Sequence, residues 1–340
     1  VNGENGSTVD PKLVAAQNLK AEYEDQFVLG MQQQFNMLDQ SWVYGVNGTV
    51  NRMGRAIDDW YGSEWENLAI VQQVAAAQGV AIDPSQVLGS ILINPGQANT
   101  LTLANTSGGY SEVKIPWSDF HMPQLKRRYY ALDMYLEHPF DGKWWGKIDY
   151  TFARSYGDTE GPVFSPGGQG GSSQSATIQW DFPEIMSYSN GLQSNNQRHH
   201  LRIYGSYQIT PEWSVGGTYH IASGTPLSCF GFYGPLSGYS YNTAPNPATD
   251  DPGGYGGSYP WCTGKPSPPG AIGNTPWTHQ LNLQVDYRPA FAVRKLDFQL
   301  QVHNAINEQK SIQQQGYMYG NSHTTPYPYY LMPYSTEAPR

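Results

Sequence analysis

No apolar run in this chain approaches the roughly 18 residues that a helix needs to cross a bilayer, so a membrane-spanning helix is excluded. No basic stretch followed by a short apolar run opens it either, and no signal peptide is expected within it. Cations are scarce: 19 Lys and Arg stand against 28 Asp and Glu, a formal charge of −9. The sequence shows no basic patch that would neutralise phosphates, so no nucleic-acid partner is expected. Hydrophobic residues make up 39%, below the norm of a water-soluble globular chain. Cysteine is nearly absent. The two present, Cys229 and Cys262, share one Gly/Tyr/Pro-rich segment, and a disulfide between them suits an oxidising compartment. In the loop-entropy picture such a bridge is worth roughly 3–4 kcal/mol.

Catalytic and metal signatures are missing as well. There is no HExxH, no clustered Cys/His spacing and no Gly-x-Ser-x-Gly elbow. Gly167-Gly168-Gln169-Gly170-Gly171 lacks the Gly-Lys-Ser/Thr continuation of a phosphate loop and reads as a flexible loop tip. Thr249-Asp250-Asp251 lacks calcium-loop spacing. His199 and His200, adjacent on a strand, must face opposite ways. Asp58-Asp59 reads as a polar strand end. No metal, no cofactor and no covalent chemistry are expected.

Aromatic residues reach 14%, with 25 Tyr and 10 Trp, beside 37 Gly and 25 Pro. The aromatic content is organised by alternation. From Tyr130 to Glu137 the residues Tyr130, Leu132, Met134 and Leu136 alternate with Ala131, Asp133, Tyr135 and Glu137. After Pro139-Phe140-Asp141-Gly142, the residues Trp144, Ile148, Tyr150 and Phe152 alternate with Lys147, Asp149, Thr151 and Ala153. Period two over about ten residues on both sides of a turn is an antiparallel hairpin. Strands of that length cross a bilayer when tilted, and apolar-out, polar-in alternation is the pattern of a transmembrane β-barrel. Three more hairpins follow the same rule: Tyr23–Phe35 with Trp42–Val50, Leu201–Ile209 with Trp213–Ile221, and Leu281–Tyr287 with Leu296–Val302.

Between hairpins run long loops, 58–126, 157–198 and 223–277, with a last one from Asn307 to Arg340. Within the first, Ser63-Glu64-Trp65-Glu66 has the form of a capping box and Gly79 that of a C′ stop, so the spacing predicts a helix over 63–78. Asn94-Pro95-Gly96 predicts a turn with short flanking strands. Residues 1–17 show no organised pattern. The expected fold is therefore all-β: about eight long strands in four hairpins, forming an antiparallel transmembrane β-barrel portion. In such barrels the short turns face the periplasm and the long loops face outside. Lumen positions filled with Gln, Asn, Asp, Lys and Arg suit an arc of a wide barrel better than a narrow dry one.

The inward set Asp133, Glu137, Lys147, Asp149, Arg202, Asp286 and Asp297 is expected to face the lumen or a plug. Asp133 and Lys147 would form a cross-strand ion pair; the plainer reading is a wall whose charges keep the lumen wet. Trp42, Trp144, Trp145, Trp213 and Tyr219 read as interfacial girdles rather than a sugar platform. The loop aromatics Trp60, Trp65, Trp117, Phe230, Phe232, Tyr233, Tyr239, Tyr241, Tyr255, Tyr259 and Trp261 have no lipid to face. They are candidate ligand contacts, rigid rings among Gly and Ser, with packing of loop on loop as the alternative.

The segments LKAEYEDQFVLGMQQQF (19–35), NRMGRAIDDW (51–60), RRYYALDMYLEHPFDGKW (127–144), TFARSYGDTEGP (151–162), RHHLRIYGSYQITPEWSVGGTYHIASGTPLSC (198–229) and VHNAINEQ (302–309) together resemble the C-terminal barrel half of TonB-dependent outer-membrane receptors, especially the Oar-like subgroup. The resemblance implies a 22-stranded barrel, a plug, and coupling to TonB through a box near the N-terminus. Neither plug nor box is matched here, and the family's final strand is not found before Arg340. The expectation is one domain over 1–340, the barrel part of a transporter in the bacterial outer membrane. Its expected partners are outer-membrane lipid, TonB through the rest of the protein, and a ligand that is an iron chelate, a glycan, a peptide or a protein. Two alternatives stand beside it: a surface binding or structural barrel protein without energised transport, and an outer-membrane enzyme using paired loop carboxylates.

Overall fold

The computed structural model describes residues 10–161, 163–165, 169–170, 177–234, 253–312, 314, 316–318, 328 and 330–332. Eight strands form, in sequence order, the path of one antiparallel sheet: β1 (Tyr23–Met37), β2 (Gln40–Arg55), β3 (Arg127–His138), β4 (Trp144–Gly157), β5 (His199–Gln208), β6 (Trp213–Ala222), β7 (Thr278–Tyr287) and β8 (Phe298–Val302), with a short ninth, Gly191–Leu192, pairing the end of β4. The path is open, with β1 and β8 at its edges. This is the wall of an incomplete β-barrel. Among the described residues no helix is long and apolar enough to cross a membrane.

Short turns join the strands at one end. Leu38 and Asp39 both take positive φ (54° and 58°), the two-residue turn whose twist matches that of the strands. In the β3–β4 turn, Asp141 Oδ1 accepts hydrogen bonds from the backbone N–H of Lys143 (2.8 Å) and Trp144 (2.9 Å), and Gly142 takes φ 94°.

Register separates the chemistry of the two faces. Side chains directly opposite in a ladder share a face. One face therefore carries the row Tyr44, Leu136, Ile148, Ile203, Tyr219 and Leu281, linked strand by strand. The other carries Gln34, Val43, Glu137, Lys147, Tyr204, Thr218 and Asn282. Leu132, Ile203, Leu283 and Phe298 are 40%, 37%, 45% and 57% exposed. Apolar side chains this open across a whole sheet need a non-aqueous neighbour.

The buried core lies in the long loops. Loops expected to be irregular pack together as a cap at the other end of the sheet. Its core includes Trp60, Val71, Ile91, Ile93, Leu101, Ile115, Phe120, Trp180, Met186, Phe230 and Tyr259. Short paired strands, 58–60 with 91–93 and 99–104 with 110–115, scaffold it, so strands do flank the 94–96 turn. Helix α1 runs Trp65–Ala77, shorter than expected. Its N-cap is Glu64 with no side-chain cap bond, so the capping box does not form. Gly79 does stop it: at φ 74°, its N–H reaches Ala76 O (3.0 Å) and that of Val80 reaches Ala75 O (2.9 Å), a Schellman closure. The described residues before β1, from Asp10 on, are organised after all. Ala16 N–H bonds Leu92 O, and Leu92 N–H bonds Val14 O, both at 2.8 Å, because the strand 91–93 has a free edge that needs partners.

Candidate functional site

The polar face of the wall is the first candidate. Thr151 Oγ1 donates to Asp133 Oδ1 (2.6 Å), and Lys147 Nζ lies 3.1 Å from Asp149 Oδ1. The expected Asp133–Lys147 ion pair does not form. The register sets Lys147 opposite Glu137 and Asp133 opposite Thr151, because the turn spans more residues than a two-residue hairpin. Trp145 shares this face, its Nε1 donating to Glu137 Oε1 (3.1 Å). It therefore lies on the opposite face from Trp42, Trp144 and Trp213, away from the expected girdle position. Tyr219 sits on the apolar face but mid-strand, opposite Ile203 and Leu281.

Further along, Asp286 accepts hydrogen bonds from Gln284 (2.9 Å) and Gln299 (2.9 Å). It edges a cavity of about 370 Å³ whose lining mixes polar residues, among them Ser206, Thr218, Asn282 and Gln301, with Trp145, Val215 and Leu283. Arg202 NH2 lies 3.0 Å from His200 Nδ1 on the same face, while His199 faces the other way against Phe152 (5.3 Å between rings). Asp297 precedes β8 and is held by Arg288 at the short-turn end (3.0 Å).

The cap aromatics fall into two groups. Trp60, Trp117, Phe230, Phe232 and Tyr259 are buried, packed ring on ring: Trp60 and Trp117 each meet Phe120 at 4.9 Å, and Phe230 meets Phe164 at 5.3 Å. These five take the alternative kept open for them, packing of loop on loop. Three loops bring their rings together, and burial there removes more apolar surface from water than any single loop could hide. Tyr233, Tyr255 and Trp261 stay half-buried. Trp261 contacts Tyr233 (5.4 Å) and the exposed Tyr188 (5.5 Å). This cluster adjoins the disulfide between Cys229 and Cys262. Tyr188 carried no sequence signal, since its segment has no periodicity. Trp65 begins α1; Tyr239 and Tyr241, like Thr249-Asp250-Asp251, lie outside the described residues.

Asp58 and Asp59 are not a polar strand end. Both are buried, and Asp181, from another loop, joins them. Ser90 Oγ donates to Asp59 Oδ2 (2.8 Å), and the Tyr255 hydroxyl donates to Asp181 Oδ2. Burial, then the charge of Asp181, then that of Asp59, hold the Asp58 carboxyl well above the usual range. Burial and Asp59 do the same to Asp181, and burial raises Asp59. At the rim, Asp158 Oδ1 accepts from Lys126 N–H (2.8 Å), and burial pushes its carboxyl up to about 7. Carboxyl groups buried this close together favour their protonated forms.

No family model matches the chain. Over 254 residues, 73% of this chain, it is 26% identical to the TonB-dependent transporter Oar of Myxococcus xanthus, and it spans 20% of that protein's length. An open antiparallel wall with one apolar and one polar face, together with that similarity, makes the chain a distant relative of a TonB-dependent transporter.

Proposed function

We propose that this chain is the wall and loop portion of an outer-membrane, TonB-dependent receptor. Its cap would meet the ligand on the outside, and its polar face would hold a plug supplied by the rest of the protein. The observation that carries this reading is the separation of faces by register across all eight strands. Lipid wets the apolar face. The polar face, with Asp133, Glu137, Lys147, Asp149, Arg202 and Asp286, presents hydrogen-bonding groups to a plug. In the cap, the exposed Tyr188 and the half-buried Tyr233 and Trp261 are the proposed ligand contacts, flat rings suited to a glycan, an aromatic chelate or a peptide.

The test is uptake by cells carrying the parent gene, supplied in turn with labelled iron chelates, oligosaccharides and peptides. Accumulation that requires both the gene and TonB supports the proposal. A second reading, surface binding without energised transport, draws on the cap's own well-packed core, which suits a rigid binding module. It predicts ligand retention on the cell surface that is unchanged when TonB is deleted.

A further inference from the structure

Four cations converge on the apolar face at the cap end of the wall, although the chain is acidic and its sequence shows no basic patch. Register places Arg52 directly opposite Arg128, and Arg128 directly opposite Tyr156. One row nearer the apolar band, Val50 faces Tyr130, which faces Arg154. Arg154 sits over the Tyr156 ring at 4.9 Å and Lys126 at 5.2 Å. Tyr130 and Tyr156 stack at 6.2 Å, and Arg128 reaches both hydroxyls. Neighbouring Arg127, on the polar face, is paired with Glu24 at 3.4 Å. Among the described residues none of the four cations is in an ion pair. Asp25, opposite Arg52, is the acidic group nearest in the ladder.

Like charges directly opposite on adjacent strands repel, so the Arg52–Arg128 pair destabilises the bare wall. An anion between them reverses the sign, and guanidinium forks match phosphate oxygens two at a time. The height is also specific. Trp144 and Arg154 lie ten residues apart on β4, about 33 Å along a strand and about 25 Å across a bilayer at barrel tilt. The row thus falls where the apolar band ends and headgroups begin.

We propose that Arg52, Lys126, Arg128 and Arg154, with Tyr130 and Tyr156 as their floor, bind the phosphate groups of a membrane lipid in the leaflet at the cap end. The inference rests on the membrane-spanning reading above.

The test uses the full parent protein in neutral detergent, with native mass spectrometry reading retained lipid. The probes are bis-phosphorylated lipid A, phosphatidylglycerol, dephosphorylated lipid A and diacylglycerol. The expectation is retention of at least one phosphorylated lipid over its phosphate-free counterpart, and the better of the two names the source. R52Q, R128Q and R154Q together should weaken retention by about tenfold per arginine, while R52K, R128K and R154K together should retain more than the Gln variant and less than the native protein, since the charges stay and the forks are lost. Equal retention of matched phosphorylated and phosphate-free lipids, or no change in the Gln variant, would overturn the site. Fractionation answers separately: a protein absent from the membrane sinks the spanning reading itself, whereas an inserted protein without phosphate preference sinks only this inference.

Discussion

Asp158 ties the two ends of the central hairpin, its Oδ1 accepting from Lys126 N–H while its own N–H bonds Lys126 O (both 2.8 Å). Its folded pKa of about 7 lies above the ordinary 3.8. The stabilisation is therefore fully present below about pH 4 and fades as pH rises through 7. Amide protection factors at Lys126 and Asp158, taken relative to intrinsic base-catalysed exchange, should fall across that window, and D158N, which keeps an acceptor without the charge, should flatten the dependence. A flat profile in the native protein would refute the assignment. Gly142 makes a simpler case. Its φ of 94° has open space where a Cβ would go, so G142A should destabilise by about 1–2 kcal/mol from backbone strain alone. Denaturant unfolding of the refolded protein measures it.

At the scale of elements, the cap depends on contacts between loops. Trp60 lies on one loop and Trp180 on the next, both fully buried. W60A should cost about 3–5 kcal/mol, read as lost proteolytic resistance of the loops while the wall stays folded. The same experiment on W261A should leave the fold intact and weaken ligand retention, since that ring is only half-buried. Asp58, Asp59 and Asp181 all favour their protonated forms. Their stabilisation is present at acidic pH and lost as pH rises above the ordinary carboxyl range, so the cap should become easier to cleave as pH rises. D58N should blunt that trend; unchanged cleavage across the range would count against a proton-holding cluster.

At the scale of the molecule, the two faces make opposite demands on the same substitution. Leu132 and Thr151 lie on adjacent strands but opposite faces. L132R should cost about 2–4 kcal/mol at mid-band and block membrane assembly, visible as loss of heat-modifiable migration; T151R, on the wetted face, should assemble. The hairpins were legible from sequence because side-chain direction on a strand is fixed by residue parity, so Leu132, Met134 and Leu136 declare their face unaided. Helix α1 was legible for a similar reason, its stop being a local property of Gly79. What lay beyond sequence were meetings across distant segments: Asp59 with Asp181, Arg52 with Arg128 and Arg154, and the burial of Trp60, Phe230 and Tyr259. Alternation by itself determined the wall and its two environments, since it needs only neighbouring residues. Only tertiary structure decided which loop aromatics became core and which cations became a cluster, because burial and like-charge proximity depend on which strands and loops come to lie side by side.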